Sequence, residues 1–384
     1  MRYKSSSLKD LISFISKGIV PKYANSYDEN VIRVINQRCN RNGEITFKEA
    51  RYSDLSKRKV TNEKLLKNKD ILINSTGKGT AGRVAQISEN QLTEPTTVDG
   101  HMIIIRPSEK IDPDYLGYAL KAQQRVIESY AEGSTGQTEI NKQRLLDETI
   151  IKYPSKEEQR KIANIFINLD MKIKNNQKIN TNLEEINKLY FSNIFKNTTN
   201  FIKASDIAEI KIGKTPPRKE KKWFSSEKGQ IWVSIKDMNS SGSFILDSSE
   251  YLINNATNNF NIQKVSKNTV ILSFKLTIGR VKITEQDMFT NEAIAQFKNA
   301  KLPFQFLYTY LKSFPYETLG STSSIAKSIN SKIVKNIPIL HPEKYELDNY
   351  MSFAEPIFKE IELHQLENKK LLSIKDELLH RFFN

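Results

Sequence analysis

Residues 73–84, INSTGKGTAGRV, place a lysine and an arginine among glycine, serine and threonine, a composition typical of loops that hold phosphate groups. A nucleotide-hydrolysing phosphate loop needs a glycine five residues before a Gly-Lys pair, and a Ser or Thr directly after the lysine. Here the residue five positions before Gly77 is Leu72, and Lys78 is followed by Gly79. The spacing excludes that kind of ATP site and leaves a turn that can bring cations close to a polyanion.

Other patterns that carry catalysis are also missing from the sequence. Methylation of base amino groups uses an N/D-P-P-Y/F motif, and GKTPPRKE (213–220), with the only Pro-Pro, lacks both the required amide or carboxylate and the aromatic residue. DIAEIK (206–211) does not supply the carboxylate cluster of a metal-dependent nuclease. His364 has no histidine or cysteine at ligand spacing. We therefore expect a chain that is not an enzyme, with no catalytic residue, cofactor or metal of its own.

The charge of the chain favours a polyanionic partner. Its 384 residues carry a formal net charge of +15. Residues 1–155 contain 25 basic and 19 acidic side chains, and the remainder contains 34 and 25, so the excess is spread over both halves. Nucleic acid is the expected partner. The single cysteine, Cys39, and the lack of a long apolar run predict a cytoplasmic protein without a membrane span.

The sequence repeats itself with an offset close to 200 residues. IRVINQRCNRNGEI (32–45) aligns without a gap with IWVSIKDMNSSGSF (231–244). DILINSTGKGTAGRV (70–84) aligns with TVILSFKLTIGRV (269–281) at the shared Gly-Arg-Val end. The second copy keeps a lysine and the Gly-Arg pair but loses the other glycines, which further excludes an ATP site. Two similar domains are therefore expected.

Two segments of about 40 residues carry apolar side chains every seven positions, which is typical of long helices packed as a coiled coil. The first follows an S-x-x-E capping box at 155–158, and the second begins near His341-Pro342. Asn176 and His364 are expected as buried polar residues that fix the register. The predicted seam, meaning the residues that face the other helix, comprises Ile165, Leu169, Asn176, Ile179, Leu183, Ile186 and Tyr190, followed by Phe353, Ile357, His364, Leu371, Ile374 and Leu378.

The rest of the chain is predicted to be mostly β-structure. VIRVI, KDILIN, RVAQI and HMIIIR are short β-branched runs bounded by Gly, Asn and Asp, and helices are predicted over 112–131 and 303–313. The predicted fold class is α+β, with two β-rich domains separated by two long antiparallel coiled-coil helices in a pseudo-two-fold internal repeat. The predicted domains are 1–154, the helix 155–197, 198–341 and the helix 342–384. The geometry that follows is a rod with one domain at each end.

Basic and amide side chains concentrate in equivalent loops of the two copies. Arg, Lys, Asn and Gln hydrogen-bond purine edges, and Asp accepts from cytosine. The predicted DNA contacts are Lys17, Gln37, Arg38, Asn40, Arg41, Lys78 and Arg83 in the first copy, and Lys214, Thr215, Arg218, Lys236, Asp237, Asn239, Lys275 and Arg280 in the second. The alternative, in which Arg83 and Arg280 brace hairpin turns, stays open.

Over essentially its whole length the chain resembles the specificity subunits of type I restriction–modification enzymes. The resemblance rests on the openings SLKDLISFISKGIVP and KASDIAEIKIGKTPP, the two Gly-Arg-Val stretches, GSTGQTEIN, and YPSKEEQRKIANIF before the first long helix. It implies two target recognition domains, each reading one half of a split double-stranded DNA site, and helices that set the spacer. The junction IPILHPEKYELDNY (337–350) departs from the pattern because it lacks the Glu-Glu-Gln run of the first junction.

The resemblance also implies the partners. Two modification subunits would dock on the helices and methylate adenine with S-adenosylmethionine, and two restriction subunits would use ATP and Mg, so these cofactors belong to the partner chains. The complex is expected in a bacterial or archaeal cytoplasm. Three alternatives remain open: the specificity subunit of a type IIB-like enzyme with a fused modification–nuclease chain, a coiled-coil scaffold without a DNA role, and a self-sufficient methyltransferase.

Overall fold

The chain folds into two compact units, each built from one copy of the sequence repeat and parts of both long helices. The computed structural model describes residues 3–24, 30–133, 138–319 and 329–383. Unit 1 comprises Met1–Met171 and Leu372–Asn384, and unit 2 comprises Lys172–Leu371. Most of the repeated Gly-Ser-Thr motif lies outside the described residues in both copies.

Unit 1 is built around short, β-branched strands. The strands are β1 (Lys4–Ser7), β2 (Ile12–Lys17), β3 (Val31–Ile35), β4 (Asn40–Arg41), β5 (Glu44–Ile45), β6 (Arg51–Asp54), β7 (Ile71–Asn74), β8 (Val84–Gln86), β9 (Thr96–Val98), β10 (Met102–Pro107), β11 (Ala131–Glu132), β12 (Glu139–Ile140) and β13 (Ile150–Tyr153). The helices are α1 (Leu8–Leu11), α2 (Pro113–Ala122), α3 (Gln124–Ser129), α4 (Lys142–Glu148) and the first part of α5 (Lys156–Ile194). The four predicted β-branched runs are all strands. The helix predicted over 112–131 is two helices, because the backbone leaves helical geometry at Gln123.

Unit 2 repeats this set of elements. Its strands are β14 (Phe201–Lys203), β15 (Glu209–Ile212), β16 (Phe224–Ser225), β17 (Gln230–Val233), β18 (Phe244–Ile245), β19 (Tyr251–Leu252), β20 (Val270–Ser273), β21 (Val281–Thr284), β22 (Phe289–Thr290), β23 (Ile294–Lys298) and β24 (Pro338–Leu340). Its helices are α6 (Ala204–Ile207), α7 (Ala256–Asn259), α8 (Phe304–Ser313), α9 (Ser331–Lys335) and most of α10 (Lys344–Phe383).

The strand order shows that the sequence repeat is also a structural repeat. Unit 1 has an antiparallel sheet in the order β2-β10-β7-β8, and unit 2 has β15-β23-β20-β21 with β18 added at the edge. A parallel pair stands beside each sheet, β3 with β9 and β17 with β22. The first and last strands also pair in both units, β1 with β13 and β14 with β24. These observations confirm the α+β fold with an internal repeat.

Each globular fold is anchored on the long helices by aromatic packing. In unit 1, Phe166 of α5 stacks on Tyr118 with the ring centroids 4.9 Å apart, and Phe383 of α10 lies 5.0 Å from Tyr115. In unit 2, Phe191 of α5 lies 5.2 Å from Phe306 of α8. Burying such rings stabilises the fold by about 2–3 kcal/mol each. The anchors tie each globular fold to the helices of the same unit.

The two long helices run antiparallel within each unit. In unit 2, Asn176 bonds to Asn368 while Tyr190 lies against Phe353, with the ring centroids 4.0 Å apart. α5 begins directly after Ser155, whose hydroxyl accepts from the Glu158 amide at 3.4 Å, as the capping box predicts. α5 has 39 residues and α10 has 40, which agrees with the predicted lengths.

The structure corrects one of the two predicted heptad positions of α5. Ile165, Ile179 and Ile186 are 42%, 43% and 50% exposed, so they point away from α10. The buried heptad begins one residue later and comprises Phe166, Ile173, Asn180 and Asn187. Ile374, predicted for the seam of α10, is likewise exposed at 47%. The prediction was misplaced because asparagines occupy half of the buried heptad, and exposed isoleucines occupy the neighbouring one.

None of the remaining predicted seam residues is exposed, and contacts with the other helix are seen for Asn176, for His364 and for the Tyr190–Phe353 pair. Asn176, Leu169, Leu183 and Tyr190 are buried or half-buried on α5, as are Phe353, Ile357, His364, Leu371 and Leu378 on α10. The side chain of Asn176 donates to Glu367 at 2.6 Å and to Asn368 at 3.0 Å. Asn180 accepts from Nδ1 of His364 at 2.8 Å and donates to the Ile361 carbonyl at 3.3 Å. Paired amides of this kind favour one register, because a shift leaves buried polar groups unsatisfied.

Candidate nucleic-acid interface

The loop that follows β2 in unit 1, and β15 in unit 2, is held by a close approach to another backbone segment. At Gly18 a side-chain Cβ would lie 2.1 Å from the Val98 carbonyl oxygen, and at Gly213 it would lie 2.2 Å from that of Thr290. Only glycine allows this approach. Lys17 and Lys214 flank these glycines and are exposed, but Lys17 forms an ion pair with Glu139. The Lys214 ammonium lies 3.5 Å from the Phe260 carbonyl oxygen, so the loop presents a fixed backbone with two exposed lysines that each have a partner.

The Gly-Arg turns have the same backbone in both units. Gly82 and Gly279 both have φ of 88°, in the left-handed region that glycine favours. Arg83 donates from Nη2 to the Gly79 carbonyl at 3.0 Å, and Arg280 donates from Nη1 to the Ile235 carbonyl at 2.9 Å. Both arginines thus brace backbone, and each keeps further N–H donors that could contact a phosphate.

Asn40 is a correction to the predicted contacts. Its side chain is fully buried, donating to Asn74 Oδ1 at 3.1 Å and to the Arg83 carbonyl at 2.9 Å. In this conformation it cannot reach a base edge, and it ties the Gly-Arg turn to the strand before it. Gln37 is half-buried, and its carbonyl accepts from Asn74 at 3.2 Å.

Asp237 and Thr215 are also engaged inside unit 2. The Asp237 carboxylate accepts from the Ser234 amide at 2.8 Å, from the Ser234 hydroxyl at 2.6 Å and from the Ser249 amide at 2.8 Å. Thr215 donates to Glu292. These bonds engage the groups that would read a base, so in this conformation both residues support the loop.

Arg218 is held on an aromatic platform. Its guanidinium lies 4.6 Å from the ring centroids of Phe224 and of Trp232, and it pairs with Glu250 at 2.7 Å. The side chain is 48% exposed, so one face remains accessible. Arg218 can therefore contact a phosphate only in exchange for, or alongside, Glu250.

Six predicted contacts project into solvent and form no ion pair with any residue that the structure describes: Arg38, Arg41, Lys78, Lys236, Asn239 and Lys275. Arg41 ends the strand β4, and the others stand on turns, for example Arg38 behind the Asn36 cap, where the Arg38 amide donates at 2.8 Å. Five of the six are cations, and exposed, unpaired cations suit contacts with a phosphate backbone.

The sequence did not single out three further lysines beside these turns. Burial lowers the pKa of Lys121 and of Lys282 to about 8, and in both cases a neighbouring lysine contributes. Lys312 is the neighbour of Lys282. A signal was present: α2 and α8 are both ten residues long, and Lys121 and Lys312 each occupy the ninth position. Both copies therefore carry a lysine at the same position of the equivalent helix.

Within the described residues, no group of three or more His, Cys, Asp or Glu side chains could hold a metal ion. No helix in that part of the chain is long and apolar enough to cross a membrane.

The comparisons with known proteins agree with the repeat. The family model described as type I restriction modification DNA specificity domain matches residues 2–185 and 197–373, one match in each repeat. The specificity subunit of the type I restriction enzyme MjaIX of Methanocaldococcus jannaschii is 25% identical over 79% of this chain and 74% of its own length. That of HindI of Haemophilus influenzae is 27% identical over 47% of this chain, and the match spans 40% of that relative.

A solved structure shares the fold. The crystal structure of the type I restriction-modification S subunit from M. genitalium matches with a TM-score of 0.58 and 17% identity, covering 100% of this chain and 96% of that one. The relatives do not favour a scaffold without a DNA role or a type IIB-like enzyme.

Proposed function

The chain belongs to the family of type I restriction modification DNA specificity domains, and we propose that its two units each read one half of a bipartite double-stranded DNA target. The observation that carries this proposal is the recurrence of the same loops in both units with different side chains. The Gly-Arg turns share one backbone, whereas Arg38 and Arg41 stand in unit 1 where Asp237 and Ser240 stand in unit 2. A common loop backbone that carries different side chains in the two units suits two domains that recognise different DNA sequences.

The chain supplies recognition and not catalysis in this proposal. Modification subunits, proposed as two, bring S-adenosylmethionine, and two restriction subunits bring ATP and Mg to a cytoplasmic complex. The exposed faces of α5 and α10 would dock the modification subunits, and the length of the helices would set the spacer. Deleting one heptad from 169–190 and its counterpart from 357–378 removes about 10 Å of helix and should shift the tolerated spacer by about three base pairs.

Salt-dependent DNA binding tests the proposal. The full chain, alone and with its modification subunit, is titrated against duplex DNA by fluorescence anisotropy, and the affinity should fall steeply between about 50 and 200 mM salt. The lone chain should incorporate no methyl label from S-adenosylmethionine. Absence of binding at low salt even with the modification subunit would overturn the DNA-recognition function, and methyl transfer by the lone chain would overturn the non-catalytic role.

A further inference from the structure

Three cations of unit 2 converge on one small cleft. Arg280, Lys282 and Lys312 line a cleft of about 200 Å³ together with Asn239 and Ser240. The strand β21 carries Lys282, the turn before it carries Arg280, and α8 carries Lys312. We refer to this group of five residues as the cationic cleft.

Two of the three cations are held in place by the backbone. Lys282 is only 5% exposed, and its Nζ donates to the Ser240 carbonyl at 2.6 Å and to the Gly242 carbonyl. An ammonium has three N–H donors, so one remains. Arg280 spends one of its five donors on the Ile235 carbonyl. The cleft is therefore a preorganised set of donors with unused capacity.

The positive charge of the cleft is offset only in part by carboxylates. Among the described residues, none forms an ion pair with Arg280, Lys282 or Lys312, whereas Lys264 pairs with Asp287 at 2.6 Å. Glu184 is the carboxylate whose charge raises the pKa of Lys282, and it accepts a hydrogen bond from the Ser243 hydroxyl. Burial first, and then the charges of Lys312 and Arg280, hold the pKa of Lys282 at about 8. A bound anion would relieve this repulsion.

Part of the arrangement recurs in unit 1. Arg83 is the repeat equivalent of Arg280, and Lys121 occupies the same position in α2 that Lys312 occupies in α8. Lys121 also lies beside the turn that corresponds to Gly242, since a Cβ on Gly43 would lie 3.8 Å from Lys121 Cε. Both copies therefore place an arginine and a lysine at these positions although the surrounding sequence has changed, which points to a shared ligand.

We propose that the cationic cleft binds a phosphate group of the DNA backbone, with Arg280, Lys282 and Lys312 as its direct contacts. The proposal rests on the proposed DNA-recognition function and adds to it a sequence-independent contact that positions unit 2 on the duplex. Three converging cations match the charge and the several acceptor oxygens of a phosphate, whereas a base edge presents mixed donors and acceptors. The contact fixes the register of the neighbouring Asn239 on the DNA.

The test compares the salt dependence of DNA binding between single variants. Arg280→Gln and Lys312→Gln each remove one cation from the cleft, and Lys264→Gln removes the same charge from an exposed lysine paired with Asp287. Each full-length variant is titrated with a random-sequence duplex of about 40 base pairs between about 50 and 200 mM salt, because phosphate contacts do not depend on sequence. Inorganic phosphate at constant ionic strength is titrated in parallel by calorimetry.

The expected result is a log-affinity against log-salt slope about 0.9 smaller in magnitude for Arg280→Gln and for Lys312→Gln than for wild type, with Lys264→Gln unchanged. Over that salt range this amounts to about a threefold smaller loss of affinity. Equal slopes in all variants would overturn the proposal. If phosphate binding is then lost only in the cleft variants, the cationic cleft is a site for a free anion. If DNA binding is unchanged but capture of an acidic partner protein is weakened, the cleft binds a protein and not DNA. If wild type binds no duplex at low salt even with the modification subunit present, the proposed function fails instead, so the two failures are distinguishable.

Discussion

Replacement of Asn176 by leucine should destabilise unit 2 through the partner that it leaves behind. Asn176 Nδ2 is the donor to Asn368 Oδ1 at 3.0 Å, and Asn368 is 8% exposed. Without that donor a buried amide oxygen remains unsatisfied, which costs about 1–3 kcal/mol. In a unit of this size, a loss of 2 kcal/mol lowers Tm by about 4–8 °C.

The double variant Asn176→Leu with Asn368→Leu separates pairing from packing. Replacing both polar partners with apolar side chains of similar size removes the unsatisfied group, so stability should return to within about 1 kcal/mol of wild type. The single change Asn368→Leu should cost less than Asn176→Leu, because Asn176 keeps its 2.6 Å bond to Glu367.

Thermal unfolding of the wild type, the two single variants and the double variant, followed by circular dichroism, gives the coupling between the two positions. We expect a coupling of about 1–3 kcal/mol. If the double variant is destabilised by the sum of the two single changes, the amide pair does not act as a unit, and the reasoning about register fails with it.

The remaining predictions concern pH and the glycine loop. Affinity for duplex DNA should fall about tenfold from pH 7 to pH 9. Lys282, with a pKa of about 8, is mostly charged at pH 7 and mostly neutral at pH 9, and only the charged form attracts a phosphate. Over the same pH range the DNA-free chain should become more stable, because Lys282 binds more protons in the unfolded chain than in the folded one. Calorimetry at each pH checks the fall in DNA affinity, and Tm at each pH checks the rise in stability. Gly213→Ala should destabilise unit 2 by about 1–3 kcal/mol, because the added Cβ would lie 2.2 Å from the Thr290 carbonyl oxygen. Gly100→Ala, where the nearest atom is the Ile19 carbonyl oxygen at 3.5 Å, is the matched control and should change Tm little.

The repeat and the strands could be predicted because they depend on local sequence. An offset held over matched segments, such as 32–45 and 231–244, predicts two similar folds without knowledge of any contact. The β-branched runs became strands as expected. The predicted helix pair also has the expected lengths, since a seven-residue pattern over 40 residues has few other solutions.

The face of α5 and the role of each polar loop residue could not be predicted, because tertiary partners decide both. Ile179 has the side chain that a seam favours, yet Asn180 is buried because His364 and the Ile361 carbonyl satisfy its amide. Asn40 and Asp237 have the chemistry of base readers, but neighbouring backbone groups use that chemistry first. Sequence shows which groups can hydrogen-bond and not which partners they find.

The isoleucines on the outer face of α5 have a consequence for how the protein behaves in solution. Ile179 and Ile186 are followed by Leu189, which is 65% exposed, so unit 2 presents a row of apolar side chains to water along one helix. Such a row promotes association between molecules when nothing covers it. The chain produced by itself should therefore aggregate with rising concentration despite its high net charge, and co-production with a binding partner should raise its soluble yield.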